Sequence, residues 1–208
     1  GLALEPGYEH RWSTYTKSLH FVNVGIPVPP NIKPDISVIL LPSDEIGYVK
    51  SSHRFYDIEL YRQQAMDSTL TPDMGAWCLC GIPGIFTKKM KVESFFQTAF
   101  GYMGAVVYIG APHEYNESGF DYYDVDIGYI EETTIPADFG GVSGGSIWHV
   151  SLNGTDEKNL QSGTSILSGV PFYQTAVVQG AITRLIISSH GTKSIYEKVY
   201  EALEQCSH

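Results

Sequence analysis

Gly140-Gly141-Val142-Ser143-Gly144-Gly145-Ser146 stands about two-thirds of the way along the chain and leads into the apolar run Ile147-Trp148-His149-Val150. A serine bracketed by glycines places its hydroxyl on a tight, exposed turn, because glycine takes left-handed backbone without a side-chain clash. The neighbouring N–H groups can then converge where a tetrahedral oxyanion would form, which is what acyl transfer at a serine requires. The same residues would also serve as a plain glycine-rich turn between strands.

Outward from this stretch, short β-branched and aromatic runs separated by Gly and Pro predict strands. Asp35-Ile36-Ser37-Val38-Ile39-Leu40-Leu41 is one, closed by Pro42. Gly75 to Gly81 is a second, stopped by Pro83-Gly84, and Ala105 to Ile109 a third. Asp124 to Ile130, Ser146 to Val150 and Ala176 to Ile182 continue the series. Asn153 to Gly169, rich in Ser, Gly, Asn and Thr, predicts an exposed insertion or long hairpin loop. Phe55 to Met66 has mixed periodicity and suits a helix or an irregular connection. Ser194 to Cys206 puts Ile195, Val199, Ala202 and Leu203 on one helical face, with Ser194 and Glu197 spaced as a capping box. With no βαβ alternation and no internal repeat, the expectation is an all-β barrel or sandwich closed by a C-terminal α-helix.

Composition narrows the function classes. Apolar residues make up 43% of the 208 and aromatics 12%, a globular balance that lets the chain bury roughly 70% of its unfolded surface. No stretch nears the roughly 18 apolar residues of a membrane span, and no charged-then-apolar leader opens the sequence. A formal net charge of −10 speaks against nucleic-acid binding, which needs clustered Lys and Arg. Three cysteines, an odd count, point away from a disulfide framework and toward a reducing, cytoplasmic setting. Cys78 and Cys80 would share one strand face as buried thiols, and no second ligand pair completes a metal site.

Gly141-Val142-Ser143-Gly144-Gly145 also fits the G-x-S-x-G elbow of α/β-hydrolases. That elbow requires a parallel sheet, a helix after the serine, and then an acid and a histidine. Here Gly-Gly and a strand-like run follow, so this option falls away. Four segments instead resemble, in order, the trypsin-like (chymotrypsin-fold) serine peptidases, in the style of their bacterial and HtrA-like members. Asp35 to Leu40 resembles the strand carrying the triad aspartate. Cys80-Gly81-Ile82-Pro83-Gly84 is similar to the segment opening the second barrel, and Gly141 to Gly145 to the nucleophile loop. Val178-Gln179-Gly180-Ala181-Ile182-Thr183, then Ser194 to Val199, is similar to the specificity-pocket strand and the closing helix.

The resemblance implies two Greek-key β-barrels, the first incomplete in this chain. Residues 1–70 would be the remainder of the first barrel and the connection, and residues 71–208 the second barrel with the nucleophile loop and C-terminal helix. Ser143 would be the nucleophile, the N–H groups of Gly141 and Ser143 the oxyanion hole, and Asp35 the carboxylate that orients the imidazole. Thr183 would lie on the strand that pairs with substrate backbone, and Asp138 would line the primary pocket and favour basic side chains. Without its partner serine Asp35 is a polar strand start after Pro34, and Asp138 also fits a solvated acidic face with Asp121, Asp124, Asp126, Glu131 and Glu132. Ala137 argues against strict trypsin-like specificity. Val142 replaces the acid that receives a new N-terminus on zymogen activation, so that route is not expected.

The histidine departs from the pattern. His10 lacks a preceding apolar run, His20 lies too close before Asp35, and His53 follows it. Each reads as an ordinary surface or core histidine, which places the catalytic one upstream of Gly1. His149 and His190 sit near strand ends, with no metal-ligand spacing. The expected activity is therefore serine endopeptidase, acting on a protein or peptide substrate without a cofactor, under a regulatory partner or fused upstream domain. An inactive trypsin-like scaffold that adds a peptide along the Thr183 strand, and an esterase using the same serine, are the rivals.

Overall fold

Alternating runs of β-branched and aromatic residues make this chain mostly β, with a short helix at the C-terminus. The computed structural model describes residues 20–26, 33–42, 46–47, 50–51, 55–67, 75–84, 88–91, 98–101, 105–127, 139–153, 161–179 and 182–206. Strands β1 (His20–Gly25) and β2 (Ile36–Leu40) form an antiparallel pair, and a nine-residue helix α1 (Ile58–Met66) follows. Next come β3 (Gly75–Gly81), β4 (Lys88–Lys91), β5 (Thr98–Gly101), β6 (Ala105–Ile109), β7 (His113–Glu117) and β8 (Phe120–Ile127). Strands β9 (Ser146–Asn153), β10 (Gln161–Gln179) and β11 (Ile182–His190) lead into the closing helix. That helix, α2, is wide-turned over Ser194–Val199 and regular over Tyr200–Cys206.

Seven strands join in the order β6-β3-β9-β10-β11-β8-β7, and the paired elements run antiparallel. The long β10 is the joint. Its first half, to Gly169, pairs with β9, and from Val170 onward it pairs with β11. Inside lie Leu79, Val125, Ile127, Phe139, Val142, Ile147, Leu185 and Ile187, all nearly inaccessible. A second cluster forms where Ile166, Ile195 and Tyr196 meet the half-buried Ile58, Tyr61, Ala65 and Met66 of α1. Those four α1 residues recur at helical spacing, so one stripe packs inward. Asp57 caps the helix by accepting from the Leu60 N–H at 3.0 Å.

Several expected elements shift. Asn153 to Gly169 is not an exposed loop throughout: Gln161 onward is strand, with Ile166 and Ser168 buried against β9. Its hydroxyls are absorbed by the sheet, Ser151 Oγ donating to the Thr164 carbonyl and Ser168 Oγ to that of Ile166. The run Ala176 to Ile182 is divided between β10 and β11, where Gln179 and Ile182 are register partners. The fourth expected strand begins four residues early, at Phe120.

The capping box is not formed. Ser194 turns away from Glu197 and is fully buried against Asp121 at the start of β8. The Asp121 carboxylate accepts from the Lys193 N–H at 2.8 Å, the Ser194 N–H at 2.6 Å and Ser194 Oγ at 2.6 Å. Its main-chain carbonyl accepts from the Gly191 N–H at 2.9 Å. A carboxylate at 1% exposure is tolerated because several donors meet it at a helix N-terminus. Asp121→Ala leaves those donors unpaired in the interior, and we expect a loss of roughly 2–4 kcal/mol in urea denaturation. Asp121→Asn, which keeps one acceptor oxygen, falls between.

Candidate active site

The Gly140–Gly145 loop and the segment around Pro83, far apart in sequence, meet in space. The Gly84 N–H donates to the Gly140 carbonyl at 2.6 Å. Val142, at 3% exposure, is a member of the main core cluster and holds the loop from beneath. This explains a valine before the serine: the position faces the core. Gly141 has φ +96°, and a Cβ there would lie 2.9 Å from Gly84 N and 3.2 Å from Ile82 O. Both the left-handed backbone and the close strand therefore require glycine.

Ser143 is exposed, and among the described residues its Oγ donates to the Phe172 carbonyl at 3.1 Å. Val142 N–H donates to the Phe139 carbonyl, Gly145 N–H to that of Val142 and Gly144 N–H to that of Pro171. The N–H groups of Gly141 and Ser143 take no part in this set. These are the two that the resemblance assigns to the oxyanion hole. Phe172 is the extra residue of a β-bulge, since Pro171 faces Ser189 while Tyr173 faces Ser188. Proline has no N–H to donate to the ladder, and at this bend of β10 the carbonyls of residues 171 and 172 turn to the serine loop. Gln174 Oε1 accepts from the Phe139 N–H at 2.8 Å and fixes the loop's entry.

Asp35 precedes β2 and is exposed, and its backbone N–H donates to His190 Nε2 at 3.1 Å. His190 is fully buried, its ring centroid 5.7 Å from that of Phe120, 5.0 Å from Tyr122 and 4.9 Å from Phe172. Asp35 thus touches His190 and Ser143 touches Phe172, two rings that pack against each other. Because Nε2 accepts, the neutral ring carries its proton on Nδ1, an assignment from the hydrogen-bond pattern. Burial lowers its pKa to about 4, with the Asp121 charge acting upward and Lys33 downward.

Thr183 is not beside the serine. It faces Val178 across the β10–β11 ladder, about 17 Å of strand beyond Tyr173 at roughly 3.3 Å per residue. The strand next to Ser143 is Pro171–Phe172, a place that the proline within a strand-like run could have signalled. His190 was legible only as a histidine near a strand end, without its partner being so. Asp138, His10 and His53 lie outside the described residues. His20 begins β1 opposite Leu40, at the far end of the pair from Asp35.

The acidic residues described before the loop have separate partners. Asp121 caps α2, Asp124 Oδ1 accepts from Ser188 Oγ at 2.7 Å, and Asp126 pairs with Arg184. Burial raises the Cys78 and Cys80 thiols, and both are free. A separate cleft of about 850 Å³, walled by stacked Tyr56 and Tyr61 and by Trp148, contains none of the serine-loop residues. Among the described residues no helix is long and apolar enough to cross a membrane. Comparison with protein-family models, with curated proteins and with solved structures finds no match for this chain.

Two outcomes follow from the loop and its neighbour. Gly141→Ala must strain φ and push against backbone, whereas Gly144, at φ +77°, has open space beyond its Cα. Thermal unfolding should show Gly144→Ala costing about 1 kcal/mol and Gly141→Ala clearly more. For His190, the unfolded ring protonates as pH falls through 6.5, while the folded ring stays neutral to about 4. Its contribution is thus fully present above pH 6.5 and lost as pH falls toward 4, by about 3 kcal/mol in all. Urea midpoints across that range should show the decline, and His190→Gln should flatten it.

Proposed function

We propose that this chain belongs to a serine endopeptidase of trypsin-like architecture, with residues 71–208 as its second barrel. One observation carries the reading. Two segments singled out separately, Gly81-Ile82-Pro83-Gly84 and Gly140 to Gly145, pack against each other and leave Ser143 exposed beside two N–H groups that have no partner among the described residues. Asp35, brought to the same neighbourhood from the β1–β2 pair, supports it.

In this reading Ser143 Oγ attacks the peptide carbonyl carbon as its proton passes to a histidine, which the resemblance places before Asp35 in chain order. Asp35 orients that imidazole and stabilises its charged form. The N–H groups of Gly141 and Ser143 receive the oxyanion. The carbon–nitrogen bond then breaks, the amine leaves with the proton, and water hydrolyses the acyl-enzyme. The inactive-scaffold alternative draws on the Ser143 hydroxyl being engaged by the Phe172 carbonyl.

The two separate on intact mass after exposure of the full natural chain to a fluorophosphonate. The peptidase reading expects a single adduct, absent from Ser143→Ala. An unlabelled, folded protein would sink it and leave the scaffold.

A further inference from the structure

We propose that His190 is a positioning residue, holding the backbone of Asp35 against the β10 bulge that anchors Ser143. This rests on the peptidase reading above. Three contacts in series carry it: Asp35 N–H to His190 Nε2 at 3.1 Å, the His190 ring against Phe172 at 4.9 Å, and the Phe172 carbonyl accepting from Ser143 Oγ at 3.1 Å. One buried side chain thus touches both halves of the site.

The segment bearing Asp35 has a second anchor, Lys33. Its ammonium lies over the rings of Tyr115 and Tyr122, at 4.4 and 4.8 Å from their centroids, and donates to Tyr115 Oη. Glu117 is its ion-pair partner at 3.8 Å. Lys33 holds the segment to the sheet, and His190 sets where Asp35 itself stands. A carboxylate that orients an imidazole works only within a narrow geometry, so a fixed main-chain position has catalytic consequence.

The contact depends on the lone pair of Nε2. Protonation would turn that atom into a donor facing another donor. The charged or titratable groups around the ring are Lys33 and Asp35 on the segment before β2, and Asp121 and Tyr122 on β8. Asp121 is already occupied by the cap of α2, and β10 presents Phe172, which does not titrate. Burial among the aromatic rings keeps His190 neutral down to about pH 4.

The test uses the full natural chain and the rate of fluorophosphonate labelling at Ser143. His190→Phe keeps the ring packing and removes the acceptor, His190→Gln carries an oxygen to about the place of Nε2, and His190→Asn stops short of it. We expect labelling at least tenfold slower for His190→Phe and His190→Asn, and within threefold of wild type for His190→Gln. The ratio of the His190→Gln rate to the wild-type rate should rise as pH falls toward 4, because the limb from the general base is shared and cancels. Wild-type rates in a folded His190→Phe would overturn the inference while leaving the peptidase reading intact. If His190→Phe does not fold, equal rates for the Asn and Gln variants overturn it instead. Absence of any wild-type label at Ser143 removes both.

Discussion

The buried carboxylate of Asp121 is the constraint on which the rest of the molecule depends. It gathers the N–H groups of Lys193 and Ser194 and the Ser194 hydroxyl, while its own main chain takes the Gly191 N–H. In the interior such an ion persists only when its oxygens are met by donors, and a helix N-terminus supplies them together with a favourable dipole. The start of β8, the end of β11 and the closing helix are thereby fixed to one another. Tyr122, next to Asp121, is the register partner of His190, so the same joint sets the ring that meets Asp35 and Phe172.

The serine loop is built on a different economy of forces. Val142 sits in the core, Gly84 and Pro171 receive or donate main-chain hydrogen bonds, and the glycines permit the close approach. Ser143, one residue from a buried valine, is nevertheless exposed. A hydroxyl carried on backbone that is locked by the core keeps its geometry without rearranging, which is what the proposed peptidase site would need to stabilise charge as it develops. The bulge at Phe172 belongs to the same device, because the extra residue in β10 turns carbonyls toward the loop.

The β1–β2 pair brings the remaining residue of the proposed site. Two strands alone are marginal in water, and this pair leaves Phe21 and Ile39, register partners, largely exposed. Its attachment to the seven-stranded sheet runs through Lys33 in its aromatic setting and Asp35 on His190. The joint between the two sheets is thus polar and aromatic, and the packing of His190 on Phe172 links it to the serine loop.

Much of this was legible from local pattern. Strand period and turn residues marked β2, β3, β6 and most of β9, apolar spacing marked one face of α2, and glycines around Ser143 marked an exposed turn; each depends on residues adjacent in the chain. The strand nature of residues 161–169 was hidden because Ser, Gly and Thr suit loops equally until a partner strand and its carbonyls are present. The Ser194–Glu197 spacing suggested a local cap, yet Asp121 from a distant strand supplied a stronger one. The strand segment beside Ser143, Pro171–Phe172, was not marked, since the bulge at Phe172 and the change of pairing after Gly169 are decided by which strand pairs on each half of β10. The sequence by itself determined the strands, the turns and the exposed serine, because these follow from short-range sterics and burial. Only the tertiary structure decided the cap, the bulge and the meeting of Asp35 with His190, because each is a contact between groups far apart in the chain.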